Sequence, residues 1–166
     1  MQGRISAKEV AEELYWKLPK FPDGRIDFHG SDKAPVVTAY LFRQGRLLLL
    51  KRSSAVGHYK LMWDVVSGYL DEIKDPVEKA LEEIDEELGI GFDAITSAFK
   101  GEEFSIRDDG SRIEWIIAPV SVSLKGSFEI KLNFENTEYI WIDPAAISNY
   151  KTVPGLEIGL RNVMQA

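Results

Sequence analysis

Carboxylates are concentrated in residues 76–88, which contain five glutamates, one aspartate and a single basic residue, Lys79. On a helix with about 100° per residue, Glu83, Glu86 and Glu87 fall within an arc of about 100°. Carboxylates at this spacing repel one another, but a hard divalent cation, which takes oxygen ligands, makes such a cluster favourable. The alternative interpretation is the solvated polar face of an amphipathic helix, and the positions alone do not decide between the two.

The same residues have the periodicity of an amphipathic helix. Apolar residues recur at helical spacing at Val77, Ala80, Leu81, Ile84 and Leu88. Pro76 suits a first helical turn and Gly89 suits the position after the last one, so we predict a helix from about 76 to 88. Gly68 and its loop come just before this helix, and backbone carbonyls of such a loop are good metal ligands too.

Runs of β-branched, aromatic and leucine residues predict strands on both sides of this helix. The runs are 36–42, 46–51, 64–66, 94–106, 112–124 and 138–143. We expect the first two to form one hairpin, and 94–106 with 112–124 to form another. Ser6, with Glu9 three residues later, predicts a helix near the N-terminus. The expected class is α+β, an α/β/α sandwich in which a mixed β-sheet carries a central acidic helix and flanking helices.

The composition is that of one globular domain. The chain has 166 residues, of which 45% are hydrophobic and 28% charged, so it is long enough to bury a core. We expect a single domain over residues 1–166. Its parts would be an N-terminal helix and arm at 1–33, a core at 34–150 and a C-terminal helix at 151–166.

Several function classes are disfavoured by residue counts. The chain has no cysteine, which excludes disulfides, thiolate metal sites and cysteine nucleophiles. Its two histidines, His29 and His58, are far apart, so Mg²⁺ or Mn²⁺ suits the sequence better than zinc. The net charge of -7 argues against nonspecific duplex binding but allows a nucleotide ligand.

The location and assembly of the protein are also expectations at this point. No apolar run approaches the roughly 20 residues needed to span a bilayer, and no secretory signal is visible. We therefore expect a cytoplasmic protein without a membrane span. The N-terminal arm would suit a homodimer contact.

Residues 68–90 resemble the Nudix box. That signature runs Gly, five residues, Glu, seven residues, then Arg-Glu-apolar-any-Glu-Glu-any-Gly-apolar. Seven of its nine fixed positions match, at Gly68, Glu83, Ile84, Glu86, Glu87, Gly89 and Ile90. The order of strand pairs before and after the box resembles the same family over most of residues 34–150.

Two positions depart from the signature, with Lys74 in place of Glu and Glu82 in place of Arg. The family's Arg orients neighbouring glutamates through ion pairs, so its replacement bears on the metal site. Because the two departures have opposite sign, we hypothesise that Lys74 and Glu82 form a charge-reversed version of one Glu/Arg pair, which ties the loop to the helix. Two unrelated surface substitutions are the alternative.

The resemblance implies hydrolysis, dependent on Mg²⁺ or Mn²⁺, of a nucleoside diphosphate linked to another moiety. ADP-ribose, a nucleotide sugar, a dinucleoside polyphosphate and a nucleoside triphosphate all stay open as substrates. The implied catalytic residues are Glu83, Glu86 and Glu87, which with the Gly68 carbonyl are also the implied metal ligands. A catalytically weak or inactive Nudix-fold nucleotide-binding protein is the alternative, because of the two departures.

Substrate contacts are expected ahead of the box. By likeness to the family, Arg52 would contact phosphate, since a guanidinium suits that role. Tyr59, Lys60 and Trp63 would line the substrate cleft, with an aromatic ring stacked on a base, although such aromatics are often core residues. The general base is left open between the box glutamates and acidic residues outside it. The latter are Glu102, Glu103, Glu114, Glu135 and Glu138.

Overall fold

The computed structural model describes residues 6–165, in which α-helices flank an eight-stranded mixed sheet. The helices are α1 (Ala7–Lys17), α2 (Pro76–Leu88) and α3 (Leu156–Met164). The strands are β1 (Lys33–Arg43), β2 (Arg46–Arg52), β3 (Trp63–Asp64), β4 (Val66–Tyr69), β5 (Ile95–Lys100), β6 (Phe104–Asp108), β7 (Ile113–Leu124) and β8 (Asn136–Ile142). Short 3₁₀ segments lie at Phe92–Ala94 and Pro144–Asn149. Residues 1–5 and 166, at the ends of the predicted arm and C-terminal helix, lie outside the described residues.

Strand β1 is at the centre of the sheet. It pairs in parallel with β7, and its other edge is shared by β4 over Val36–Ala39 and by β2 at Phe42 and Arg43, both antiparallel. Strand β2 also pairs with β3 and β8. This arrangement brings the end of β4, which carries Gly68, alongside the middle of the sheet, with Gly68 opposite Val37.

The second predicted hairpin is present with one difference. Its first arm is divided into β5 and β6, and both pair antiparallel with β7. The division falls at Gly101, where an added Cβ would lie 2.9 Å from the backbone oxygen of Asn162 in α3. The close approach of α3 therefore interrupts a run that sequence periodicity treats as one strand.

Helix α2 has the bounds that the sequence predicts. The Asp75 side chain accepts a hydrogen bond of 2.8 Å from the Val77 amide, and Pro76 occupies the first turn. At the other end Gly89 has a φ of 68°, a left-handed conformation that glycine adopts without strain. Capping at both ends thus fixes the bounds of the helix that carries the acidic residues.

The apolar side of α2 packs on one face of the sheet. Ala80, Ile84 and Leu88 are fully buried, and they share a cluster with Ala39 and Leu41 of β1. Because side chains alternate along a strand, Tyr40 of β1 points to the other face, where it packs with Leu160 of α3. The molecule is therefore the expected α+β sandwich, with helices on both faces. No helix in residues 6–165 is long and apolar enough to cross a membrane.

Ile84 anchors α2 on the sheet, and its removal should weaken the fold. Ile84→Ala deletes a fully buried side chain and leaves a cavity, so we expect a loss of about 2–5 kcal/mol in the free energy of unfolding, measured by urea denaturation. Asp85→Ala is the matched control, because it changes an exposed neighbour in the same helix. Equal losses in the two variants would contradict this role of Ile84.

Candidate active site

The carboxyl group of Glu83 lies directly against Gly68. A Cβ added at Gly68 would stand 2.4 Å from the Glu83 carboxyl carbon, which no real side chain tolerates. Only glycine at the end of β4 therefore lets this carboxylate reach the strand. The Glu83 side chain is 12% exposed in this position.

Glu87, one turn further along α2, is more deeply buried and is 3% exposed. Its carboxylate accepts a hydrogen bond of 3.2 Å from the Ser67 amide in β4 and one of 3.4 Å from the Asn136 side chain in β8. Two strands from different parts of the chain thus hold Glu87 in place. Glu83 and Glu87 both face β4, as their spacing of four residues requires.

Burial and mutual repulsion shift the titration of both glutamates. Burial raises the pKa of Glu83 to about 7; Lys79 opposes the rise, while Glu86 and Glu135 add to it. Burial also raises the pKa of Glu87 well above its ordinary value, and Glu135, Glu83 and Asp64 raise it further. These carboxylates are therefore costly to ionise at neutral pH without a cation beside them.

The predicted convergence of three box glutamates is realised for two of them. Glu86 is exposed, whereas Glu83 and Glu87 turn inward. Lys79 enters the same space, with its ammonium 3.4 Å from the Glu83 carboxylate. In the side-chain arrangement described for residues 6–165, no three Asp, Glu or His side chains are grouped so as to hold a metal ion. The oxygen donors suit a hard divalent cation in chemistry, and binding would require side-chain adjustment.

The two departures from the signature contact each other. Lys74 Nζ lies 2.6 Å from Glu82 Oε1, and a second carboxylate, Glu72, lies 3.5 Å from the same ammonium. The pair joins the loop after β4 to the middle of α2, as the charge-reversal hypothesis requires.

A cavity of about 400 Å³ opens beside Gly68 and Glu135. The β1 residues that line it, Val36 and Thr38, alternate with those that face α2, so the cavity lies on the opposite face of the sheet. Aromatic side chains form much of its wall. They are His58, Tyr59, Tyr69, Trp115 and Phe134.

Arg52 and Tyr59, two of the predicted substrate contacts, line this cavity. The Arg52 guanidinium donates to Asp64 at 3.1 Å and to the His58 carbonyl at 3.0 Å, so it is already paired. The Tyr59 hydroxyl accepts a hydrogen bond from the Trp115 indole N–H at 3.0 Å and donates to Asp108. This chain of contacts fixes the Tyr59 ring against the tip of the β6–β7 hairpin.

The structure does not bring Lys60 or Trp63 to the cavity. Lys60 is exposed and is absent from the cavity lining. Trp63 packs edge-on against Tyr150, with ring centroids 5.8 Å apart, in the cluster under α3. The packing of Trp63 therefore agrees with the alternative expectation, in which such aromatic residues belong to the core.

Of the five glutamates outside the box that were left open as general base, Glu135 is the one placed at the site. It lines the cavity and raises the pKa of Glu87. Glu103 has a different position, because it accepts a hydrogen bond of 2.9 Å from the Ala7 amide at the start of α1. Nothing in the sequence separates these two glutamates, since only the folded sheet brings Glu135 to α2.

Trp115 and Tyr69 are cavity residues that the sequence interpretation missed. Trp115 lies within a run of apolar residues that predicts a core strand, and it is indeed only 8% exposed. Their rings are neighbours, with centroids 6.1 Å apart. The signal that could have identified Trp115 is alternation, because it shares the parity of Ile117, another cavity residue, on β7.

Solved structures with the same architecture define the class of fold. A C. elegans Ap4A hydrolase has a TM-score of 0.66 at 17% identity, over 80% of this chain and 96% of that chain. A MutT NUDIX hydrolase from Burkholderia pseudomallei has a TM-score of 0.63 at 22% identity, over 79% and 98%. An E. coli dihydroneopterin triphosphate pyrophosphohydrolase has a TM-score of 0.63 at 20% identity, over 80% and 96%. At these identities the likeness shows the fold, which is that of Nudix hydrolases.

The family follows from the sequence match. Residues 32–163 match the family described as NUDIX domain, so the chain belongs to that family. Curated proteins give no match to this chain.

The contact between Lys74 and Glu82 predicts energetic coupling. Lys74→Glu and Glu82→Arg should each lower the free energy of unfolding, because each places like charges together. The double variant restores opposite charges, so we expect a coupling energy of about 0.2–1 kcal/mol by urea denaturation, smaller in high salt. Purely additive effects on stability would remove the charge-reversal hypothesis.

The raised pKa of Glu83 predicts a pH-dependent stability. The pKa of Glu83 is about 7 in the folded protein and 4.5 ordinarily. Between these pH values the folded state therefore binds more protons than the unfolded state, and the contribution of Glu83 to the free energy of unfolding is lost as pH rises. In metal-free protein, Glu83→Gln should therefore raise the free energy of unfolding at pH 8 by roughly 1–3 kcal/mol and change it little near pH 4.5.

Urea denaturation at the two pH values checks this expectation. Glu78→Gln is the control, because it neutralises an exposed carboxylate elsewhere on the same helix. A loss of stability at pH 8 in Glu83→Gln would contradict the prediction.

Proposed function

We propose that the protein is a metal-dependent pyrophosphohydrolase that cleaves a nucleoside diphosphate linked to another moiety. The observation that carries this proposal is the pair of inward-facing carboxylates, Glu83 and Glu87, beside an aromatic-lined cavity. Membership of the NUDIX domain family supports it.

Mg²⁺ or Mn²⁺ is the proposed cofactor. Glu83, Glu86, Glu87 and the Gly68 carbonyl are its proposed ligands, with Glu86 turning inward from its exposed position. Such an ion would lower the pKa of bound water and neutralise charge on the phosphate oxygens. The raised pKa values support this assignment, because a site that penalises carboxylate charge in the absence of a cation gains most when one binds.

We assign Glu135 as the favoured proton acceptor outside the box. It lines the cavity and interacts with Glu87, which supports this role for its carboxylate. Glu83, Glu86 and Glu87 stay the alternatives within the box.

The cavity is the proposed place of the nucleoside. Tyr59, Tyr69 and Trp115 offer faces and edges against which a planar base packs. Arg52 would approach phosphate from the floor of the cavity while Asp64 holds it in orientation. The substrate contacts of Lys60 and Trp63 stay predictions, since neither residue lines the cavity.

The substrate class is proposed more broadly than any one compound. Two structural neighbours are named for Ap4A and for dihydroneopterin triphosphate, and both names indicate polyphosphate compounds. ADP-ribose, a nucleotide sugar, a dinucleoside polyphosphate and a nucleoside triphosphate form the test panel for this chain. The assignment to the cytoplasm and the homodimer contact stay predictions.

A nucleotide-binding protein with weak or no turnover is the second candidate. The observation that favours it is the position of Lys79, whose ammonium contacts the same carboxylate that a metal would use. The exchange of charge between Lys74 and Glu82 points the same way.

Metal-dependent turnover of the panel tests the proposal. The protein is incubated with each compound and Mg²⁺ or Mn²⁺, and release of phosphate or nucleoside monophosphate is followed. We expect turnover with at least one compound and a fall in kcat of at least about a hundredfold in Glu83→Gln and Glu87→Gln.

Glu78→Gln is the matched control, because Glu78 is an exposed glutamate on the same helix. It should retain activity. No turnover with any compound, together with a rise in melting temperature on adding a nucleotide, would favour the binding protein instead.

A further inference from the structure

Lys79 is a buried basic residue inside an acidic site. It is 1% exposed, and it is the only basic residue in the buried class among residues 6–165. Burying an ammonium is unfavourable unless it is paired and hydrogen-bonded. Its partners therefore explain why it is there.

Two carboxylates from different elements meet at the Lys79 ammonium. Asp71, in the loop after β4, accepts a hydrogen bond of 3.1 Å, and Glu83, one turn further along α2, lies at 3.4 Å. A third carboxylate, Glu72, lies at 3.9 Å. The ammonium thus joins the loop, the helix and the proposed metal ligand.

The Glu83 carboxylate is held between two neighbours. Gly68 contacts it on the strand side, where an added Cβ would stand 2.4 Å away, and Lys79 contacts it on the helix side. The geometry therefore keeps this carboxylate at the end of β4.

We propose that Lys79 is a positioning residue, which holds the Glu83 carboxylate against Gly68, where this carboxylate would serve as a metal ligand. The inference rests on the proposed function, because it takes Glu83 as a metal ligand. The same ammonium pairs with Asp71 and so holds the loop that follows Gly68. One side chain thus positions both Glu83 and the chain next to Gly68. This role differs from that of Lys74, whose partner Glu82 is not a proposed ligand.

Binding of Mn²⁺ to the full chain without substrate tests the proposal. Free Mn²⁺ is measured by electron paramagnetic resonance in wild type, Lys79→Met, Lys79→Arg and Glu83→Gln. Loss of a group that orients a metal ligand typically costs about 10–100-fold in metal affinity. We expect a loss in this range for Lys79→Met and recovery of most of the affinity in Lys79→Arg, which keeps the charge.

A double-mutant cycle separates positioning from other roles. If Lys79 acts through Glu83, adding Lys79→Met to Glu83→Gln should change Mn²⁺ affinity by less than about twofold. Lys17→Met is the matched control, because it breaks an exposed pair of the same spacing, between Lys17 and Glu13 at 2.8 Å. It should leave Mn²⁺ binding unchanged.

Four results would overturn the proposal. Lys79→Met could bind Mn²⁺ as tightly as wild type, which would leave Lys79 no role in binding, or more tightly, which would make it a competitor of the metal. Lys79→Met could weaken Mn²⁺ binding as much in the Glu83→Gln background as in the wild type, which would show that Lys79 affects binding without acting through Glu83. Lys79→Met and a second neutral variant, Lys79→Gln, could both fail to fold, which would make the role structural. Absence of Mn²⁺ binding by the wild type would overturn the proposed function as well, so the two failures are distinguishable.

Discussion

The contact between the Glu83 carboxyl group and Gly68 is the constraint on which the site depends. It requires a glycine at the end of β4 and a helix whose rotation about its axis directs position 83 at that glycine. The rotation is set by Ala80, Ile84 and Leu88, which are fully buried against the sheet. Because the core fixes the helix in this way, Glu87, one turn later, necessarily meets β4 as well.

This arrangement stores unfavourable electrostatic energy at one place. Glu83 and Glu87 are removed from water and stand near other carboxylates, which raises the pKa of both. Lys79 reduces this cost at Glu83 through the ion pair between them. Burial and repulsion at such positions are common where binding or catalysis takes place.

Local patterns in the sequence were sufficient for some features and not for others. Periodicity and caps gave the bounds of α2, and opposite charge at fixed positions predicted the contact between Lys74 and Glu82. Helical spacing could not show that Glu86 stays in solvent or that Lys79 turns inward, because the position of Lys79 depends on Asp71 in the loop after β4. Glu135 reaches the site only through contacts over a long sequence separation, which composition and spacing do not encode, whereas alternation along β7 could have placed Trp115 with Ile117 on the cavity face.

Ser67 connects the two faces of the sheet. Its amide donates to Glu87 on the α2 side, and its hydroxyl donates at 3.1 Å to Asp64 on the cavity side. Asp64 forms a salt bridge with Arg52, whose guanidinium lies 3.1 Å away. Glu87, by contrast, forms no salt bridge with a basic side chain anywhere in residues 6–165. Of these two buried carboxylates joined through one serine, Glu87 is therefore the one without a basic partner in residues 6–165, in keeping with the rise of its pKa well above its ordinary value.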